Sequence, residues 1–128
     1  MYERLKLRDC SNIIQNNNRA VVSVCNGNAP YQELVCYDTD CFCGCISIFF
    51  KICKCGDLSN IINDDEPASL LIINNCNNST KTVRLEGTLE VLEDEPNCCC
   101  EERKTCFRTV RFNIDRIDGR KYCRCCNN

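Results

Sequence analysis

Histidine and tryptophan are absent from this 128-residue chain, and glycine (5) and proline (3) are scarce. Without histidine there is no side chain whose ordinary pKa sits near neutrality to serve as general base, no imidazole metal ligand, and no Cys/His or Ser/His catalytic pair. An ordinary hydrolase loses most of its parts, so the chain is expected not to be an enzyme. Low glycine and proline exclude a collagen-like chain, and an apolar fraction of 44% suffices for a core, which excludes a wholly disordered one. Long hydrophobic runs are also lacking. The longest, Cys45-Ile46-Ser47-Ile48-Phe49-Phe50, stops at Lys51, far short of the roughly 20 residues that cross a bilayer as a helix. Membrane insertion is not expected. A net charge of −2 gives the chain no general attraction for nucleic acid.

What the sequence has in excess is cysteine, 16 residues in 128, a density that marks a disulfide or metal scaffold. The start, Met1-Tyr2-Glu3-Arg4-Leu5-Lys6-Leu7-Arg8-Asp9, is charged throughout and lacks the apolar core of a secretory signal. Many thiols argue for an oxidising destination, whereas a leaderless start argues for synthesis in a reducing cytosol. Either the thiols hold metal inside the cell, or the protein is released by another route, such as lysis of a spore-forming mother cell, and oxidises afterwards.

The strongest period lies at Lys81 to Val91, where Val83, Leu85, Gly87, Leu89 and Val91 alternate with Arg84, Glu86, Thr88 and Glu90. A period of two predicts one or two half-buried strands, with Gly87 as the bend or bulge that splits the run. Val110, Phe112 and Ile114 alternate in the same way, and shorter β-type runs occur at 20–24, 33–37, 46–52 and 70–73. Turn-forming clusters such as Asn26-Gly27-Asn28-Ala29-Pro30 and Glu93-Asp94-Glu95-Pro96-Asn97 separate them. Leu58 to Ile62 admits a single helical turn. The expectation is an all-β protein: an antiparallel β-sandwich, jelly-roll-like, with an extended N-terminal arm over residues 1–18, a body over 19–118 and a Cys-rich C-terminal tail over 119–128.

Three uses compete for the thiols. Intramolecular bridges stabilise by roughly 2 to 4 kcal/mol each, but a chain able to build a core does not need so many. A thiolate site for zinc or copper draws on Cys41/Cys43/Cys45 and Cys53/Cys55, although structural zinc sites favour C-x₂₋₄-C pairs and no C-x₂-C pair occurs outside the crowded clusters. Cross-links between subunits are the third use. Adjacent cysteines seldom bond to each other, since the bridge needs Cα atoms about 4.4 to 6.8 Å apart. Cys98, Cys99 and Cys100, together with Cys125 and Cys126, therefore read as branching points, and Cys10 and Cys123 lie on the two ends. Intersubunit disulfides are accordingly expected from Cys10, Cys98, Cys99, Cys100, Cys123, Cys125 and Cys126, although each end cysteine could equally pin its own arm to the body. No catalytic residue, metal ligand or cofactor-binding residue is singled out. The basic residues Arg108, Arg111, Arg116, Arg120, Lys121 and Arg124 alternate with acidic ones and read as a solvated face.

This pattern resembles the endospore appendage subunits and, more loosely, the cysteine-rich coat and exosporium proteins of spore-forming bacteria. The likeness rests on a leaderless chain of this length, the arm Arg8-Asp9-Cys10-Ser11-Asn12-Ile13-Ile14 and an all-β body. It implies a jelly roll whose copies join by strand augmentation, with Cys10 as the connector thiol to the next ring or turn. It also implies a self-assembling, disulfide-cross-linked homopolymer, a pilus-like fibre or layer, on the spore surface. The competing expectation is an intracellular zinc- or copper-binding protein.

Overall fold

The computed structural model describes residues 2–26, 29–53, 56–63, 65–75, 78–94 and 107–123. Among these residues, seven antiparallel strands and two helices follow one another as β1 (Tyr2–Arg4), α1 (Leu7–Asn16), β2 (Arg19–Asn26), β3 (Ala29–Phe42), β4 (Cys45–Cys53), α2 (Asp57–Ile61), β5 (Glu66–Asn75), β6 (Ser79–Asp94) and β7 (Phe107–Cys123). The all-β antiparallel class read from the sequence is the class observed, and each predicted strand lies inside an observed one. The strands run β1-β7-β4-β3-β2-β5-β6, and a further pairing of β6 with β7 closes the sheet on itself. A barrel of six strands results, with β1 added along the last turns of β7, where Tyr2, Glu3 and Arg4 face Tyr122, Lys121 and Arg120. Closure is what separates this arrangement from a two-sheet jelly roll: every strand of the ring is paired on both sides.

The alternation of the sequence becomes the two faces of the barrel wall. Val83, Leu85 and Leu89 of β6, Val110 and Phe112 of β7, Ile48, Phe50 and Ile52 of β4, and Leu70 and Ile72 of β5 point inward and are buried. Gly87 is the bulge that the pattern suggested. The register slips between Glu86 and Gly87, which face Arg116 and Ile114, so that Asp115 is the extra residue. A Cβ at Gly87 would overlap the carbonyl of Asn113, so glycine is needed for the strands to approach.

The N-terminal segment differs from an extended arm. Cys10, Ile13 and Ile14 recur at helical spacing, and α1 buries all three in the core. The phenol of Tyr37 on β3 donates a 2.8 Å hydrogen bond to the Ile14 carbonyl, one of the acceptors that a helix end leaves unpaired. The Leu5 amide donates to the Gly119 carbonyl at 2.9 Å. Gly119 is required there, because a Cβ would overlap Cys10 Sγ and come within 3.0 Å of Leu5 Cβ. The short α2 buries Leu58 and Ser59, and Arg108 donates to the carbonyl of Ser59 at 2.7 Å.

Candidate functional site

Two recesses on the barrel's outer wall gather chemistry-bearing side chains. The first is a shallow groove across β3, β4 and β7, lined by Cys36, Asp38, Thr39, Asp40, Phe49, Lys51, Phe107 and Thr109, with Phe50 beneath. Its volume is about 720 Å³, within the range of pockets that take cofactor-sized ligands. Register explains the convergence. Asp38 faces Phe49, and Phe49 faces Arg111 on the other side; Lys51 faces Thr109, and Cys53 faces Phe107. Cross-strand partners share a face, so an aromatic ring, a lysine and the Thr109 hydroxyl lie within a few strand widths of one another. Polarity is graded along the groove: Lys51 lies toward the Phe107 end, whereas Asp38 and Asp40 lie toward the β3–β4 turn.

The neighbouring row is held by an ion pair. Arg111 Nη2 donates to both carboxylate oxygens of Glu90 at 2.6 and 2.9 Å, and Asn113 adds a 3.3 Å bond to the same carboxylate. These bonds hold the Glu90 carboxyl below its usual range, with the Arg111 bond as the main cause and the Asn113 bond second. Arg111 Nε is buried without a partner among the described residues. The arginine is thus committed to bracing the wall beside Phe49.

The second recess, about 490 Å³, lies where β1 and α1 meet β6 and β7. It is lined by Arg4, Arg84, Arg116 and Arg120, by Glu86 and Asp118, and by Leu5, Leu7, Cys10, Ile117 and Gly119. Arg120 Nε donates to Asp118 at 3.0 Å, and its guanidinium stacks 4.3 Å from the centroid of the Tyr2 ring. The Cys10 thiol is pushed up from its ordinary pKa by burial and then by the charges of Asp9 and Asp118, so it is no activated nucleophile.

The cysteines expected to cross-link subunits are not gathered into one place. Cys10, at 1% exposure, packs from α1 against Gly119. Cys123 is exposed at the end of β7, opposite Ser79. Cys98, Cys99, Cys100, Cys125 and Cys126 lie outside the described residues. Cys41, Cys43 and Cys45 crowd the β3–β4 hairpin, exposed and unbridged. Among the described residues no cluster of three or more cysteine and carboxylate ligands is placed to hold a metal ion, and no helix is long and apolar enough to cross a membrane.

No known protein-family profile matches the chain, and no curated protein matches it in sequence. Solved structures do match its fold. An FAD-binding protein from Mesorhizobium loti superposes with a TM-score of 0.75 at 14% identity, covering 94% of this chain and 98% of that one. The FAD-binding protein of Mycobacterium smegmatis gives 0.74 at 11% identity over 95% and 99%. A candidate pyridoxamine 5'-phosphate oxidase from Corynebacterium glutamicum gives 0.72 at 13% identity over 94% and 92%. The chain therefore shares its fold with these three proteins.

This finding overturns the resemblance to endospore appendage subunits and, with it, the reading of a disulfide-cross-linked, pilus-like fibre or layer on the spore surface. The metal-binding alternative falls too. The resemblance rested on composition, and cysteine content does not specify how strands connect. The connector role it implied for Cys10 fails for a physical reason as well, since that sulfur is buried in the core. Of the groove residues, none was singled out from the sequence. Phe49 and Lys51 were visible there only as the end of an apolar run, and nothing but the strand register could have joined them to Asp38, Phe107 and Thr109.

Proposed function

We propose that the protein binds a flavin nucleotide in the groove of β3, β4 and β7. The observation that carries this reading is the likeness of nearly the whole chain, in fold, to two proteins that bind FAD. The groove's residues fit such a ligand. An isoalloxazine is flat and mixed in polarity, and Phe49 and Phe107 offer aromatic surface for its rings. Thr109, on the same face as Lys51, offers a hydroxyl to its ring heteroatoms. Among the described residues Lys51 is the one cation in the lining and would hold the phosphate, while Asp38 and Asp40 at the opposite end repel it and so fix the direction of binding. When bound, a flavin supplies one- or two-electron transfer, and the protein supplies its position and surroundings.

The test is titration of the purified protein with FMN, FAD and riboflavin, followed by quenching of flavin fluorescence. FMN or FAD should bind. Phe49→Ala should weaken both by about tenfold or more, equivalent to about 1.4 kcal/mol. Lys51→Glu should weaken FMN more than riboflavin, which has no phosphate. If no flavin binds at concentrations up to about 100 μM, an affinity too weak for a resident cofactor, or if both variants bind like the parent chain, the proposal is wrong.

A further inference from the structure

The arginine-lined cleft is the feature that the flavin reading does not use. Four guanidinium groups face two carboxylates in its lining, which leaves two positive charges in excess. The register forces some of this crowding. Arg4 lies directly opposite Arg120, a like-charge cross-strand pair that is destabilising on its own. Arg120 is engaged by Asp118 and Tyr2. Glu86 is shared between Arg84 at 3.9 Å and Arg116 at 3.8 Å, both at the outer limit for an ion pair. Among the described residues, Arg4 has no ion-pair partner. Asp9, whose charge is felt at Cys10, belongs to α1 and is not in the lining. A smaller recess of about 250 Å³, lined by Arg84, Asp118, Arg120, Thr82, Leu71 and Tyr122, shares residues with the cleft and adds the hydroxyl-bearing Thr82 and Tyr122 to its border.

We infer that this cleft is a binding site for a compact phosphoryl dianion, such as a phosphate monoester or a pyrophosphate group on a small molecule. The lining cations are all arginines, whose planar forks match phosphate oxygens two at a time, and a dianion would neutralise the excess charge. The cleft's size suits a small molecule, and the chain's net charge of −2 gives no basic track along which a polyanion could extend. The site is separate from the groove. The two linings share no residue, and Arg116 of the cleft lies seven positions from Thr109 on β7, about 23 Å along the strand.

The experiment titrates inorganic phosphate, pyrophosphate and, as a carboxylate control, succinate into the ¹⁵N-labelled protein at low ionic strength, following amide shifts. Phosphate or pyrophosphate should shift the amides of Arg4, Arg84 and residues 116–120. The double variant Arg4→Gln/Arg116→Gln, checked for an unchanged β-sheet circular dichroism spectrum, should bind at least tenfold more weakly. Flavin binding by that variant should be unchanged, which separates the two proposals. No shift up to about 10 mM, an affinity near the limit of weak association, would overturn the inference. Shifts that survive in the folded variant would also overturn it, as would succinate binding tighter than phosphate.

Discussion

Tyr37 joins the helix to the barrel through one buried hydroxyl, and its chemistry makes that joint pH-sensitive. Burial raises its pKa from 10 to about 12, because a phenolate at that position would lose water and would face the Ile14 carbonyl that the phenol now donates to. A group whose folded-state pKa is raised stabilises the fold fully below its unfolded pKa and loses that contribution as pH rises through the folded value. The window here runs from pH 10 to about pH 12, and the contribution lost across it is about 2 to 3 kcal/mol. Tyr37→Phe should cost about 1 kcal/mol near neutrality, where the hydrogen bond is missing. It should also remove part of the decline in stability above pH 10, measured by urea unfolding at a series of pH values. Equal alkaline slopes for the variant and the parent chain would show that Tyr37 does not titrate in this window. Cys10 and Gly119 meet at the same joint, and neither role was readable in the sequence: the cysteine drew attention as a thiol, although it serves as a small apolar core residue.

At the scale of elements, the strands were legible because their burial has a period of two that survives in the residue order. The helix α1 was not, although its signal is present. Leu7, Cys10, Ile13 and Ile14 fall on one helical stripe, but cysteine and three consecutive asparagines at 16–18 masked it as a polar arm. The two views make opposite predictions for removing residues 1–18. A free arm could be deleted with little change in stability. The structure instead predicts that deletion strips Ile13, Ile14 and Cys10 from the core, orphans the Tyr37 hydroxyl and unpairs the last turns of β7 from β1. Losses of several buried apolar side chains at about 2 to 5 kcal/mol each approach the whole stability of a domain. The truncated chain should therefore fail to unfold cooperatively on heating, as followed by circular dichroism, and retention of the parent melting temperature would refute the packed-helix view. The recesses were illegible for a different reason. Their residues come from three or more strands, and Arg4, Arg84, Arg116 and Arg120 become neighbours only through pairings that sequence spacing does not encode. Arg116 and Arg120 alternate with acidic residues along β7, which is why they read as a solvated face.

The molecule as a whole raises the question of what so many thiols contribute to its stability. Its core draws from every strand of the ring and from both helices, and its apolar members are at most 6% exposed. A ring of strands paired on both sides also leaves its backbone donors and acceptors satisfied within the wall. Cys25, Cys36, Cys41, Cys43, Cys45 and Cys53 are free thiols on the outside of that wall, where they neither fill the core nor close loops around it. Among the described residues, packing and the hydrogen-bonded ring hold the fold, and we expect them to outweigh any cross-link. Thermal unfolding in excess reductant should lower the midpoint by less than about 5 °C, the equivalent of about 1 kcal/mol for a domain near this size. Phe112→Ala, which empties a fully buried ring position shared by β4, β6 and β7, should cost about 3 to 5 kcal/mol and lower the midpoint by roughly 10 °C or more. A reductant effect as large as that of the substitution would mean that disulfides, and not the closed barrel, supply the decisive part of the stability.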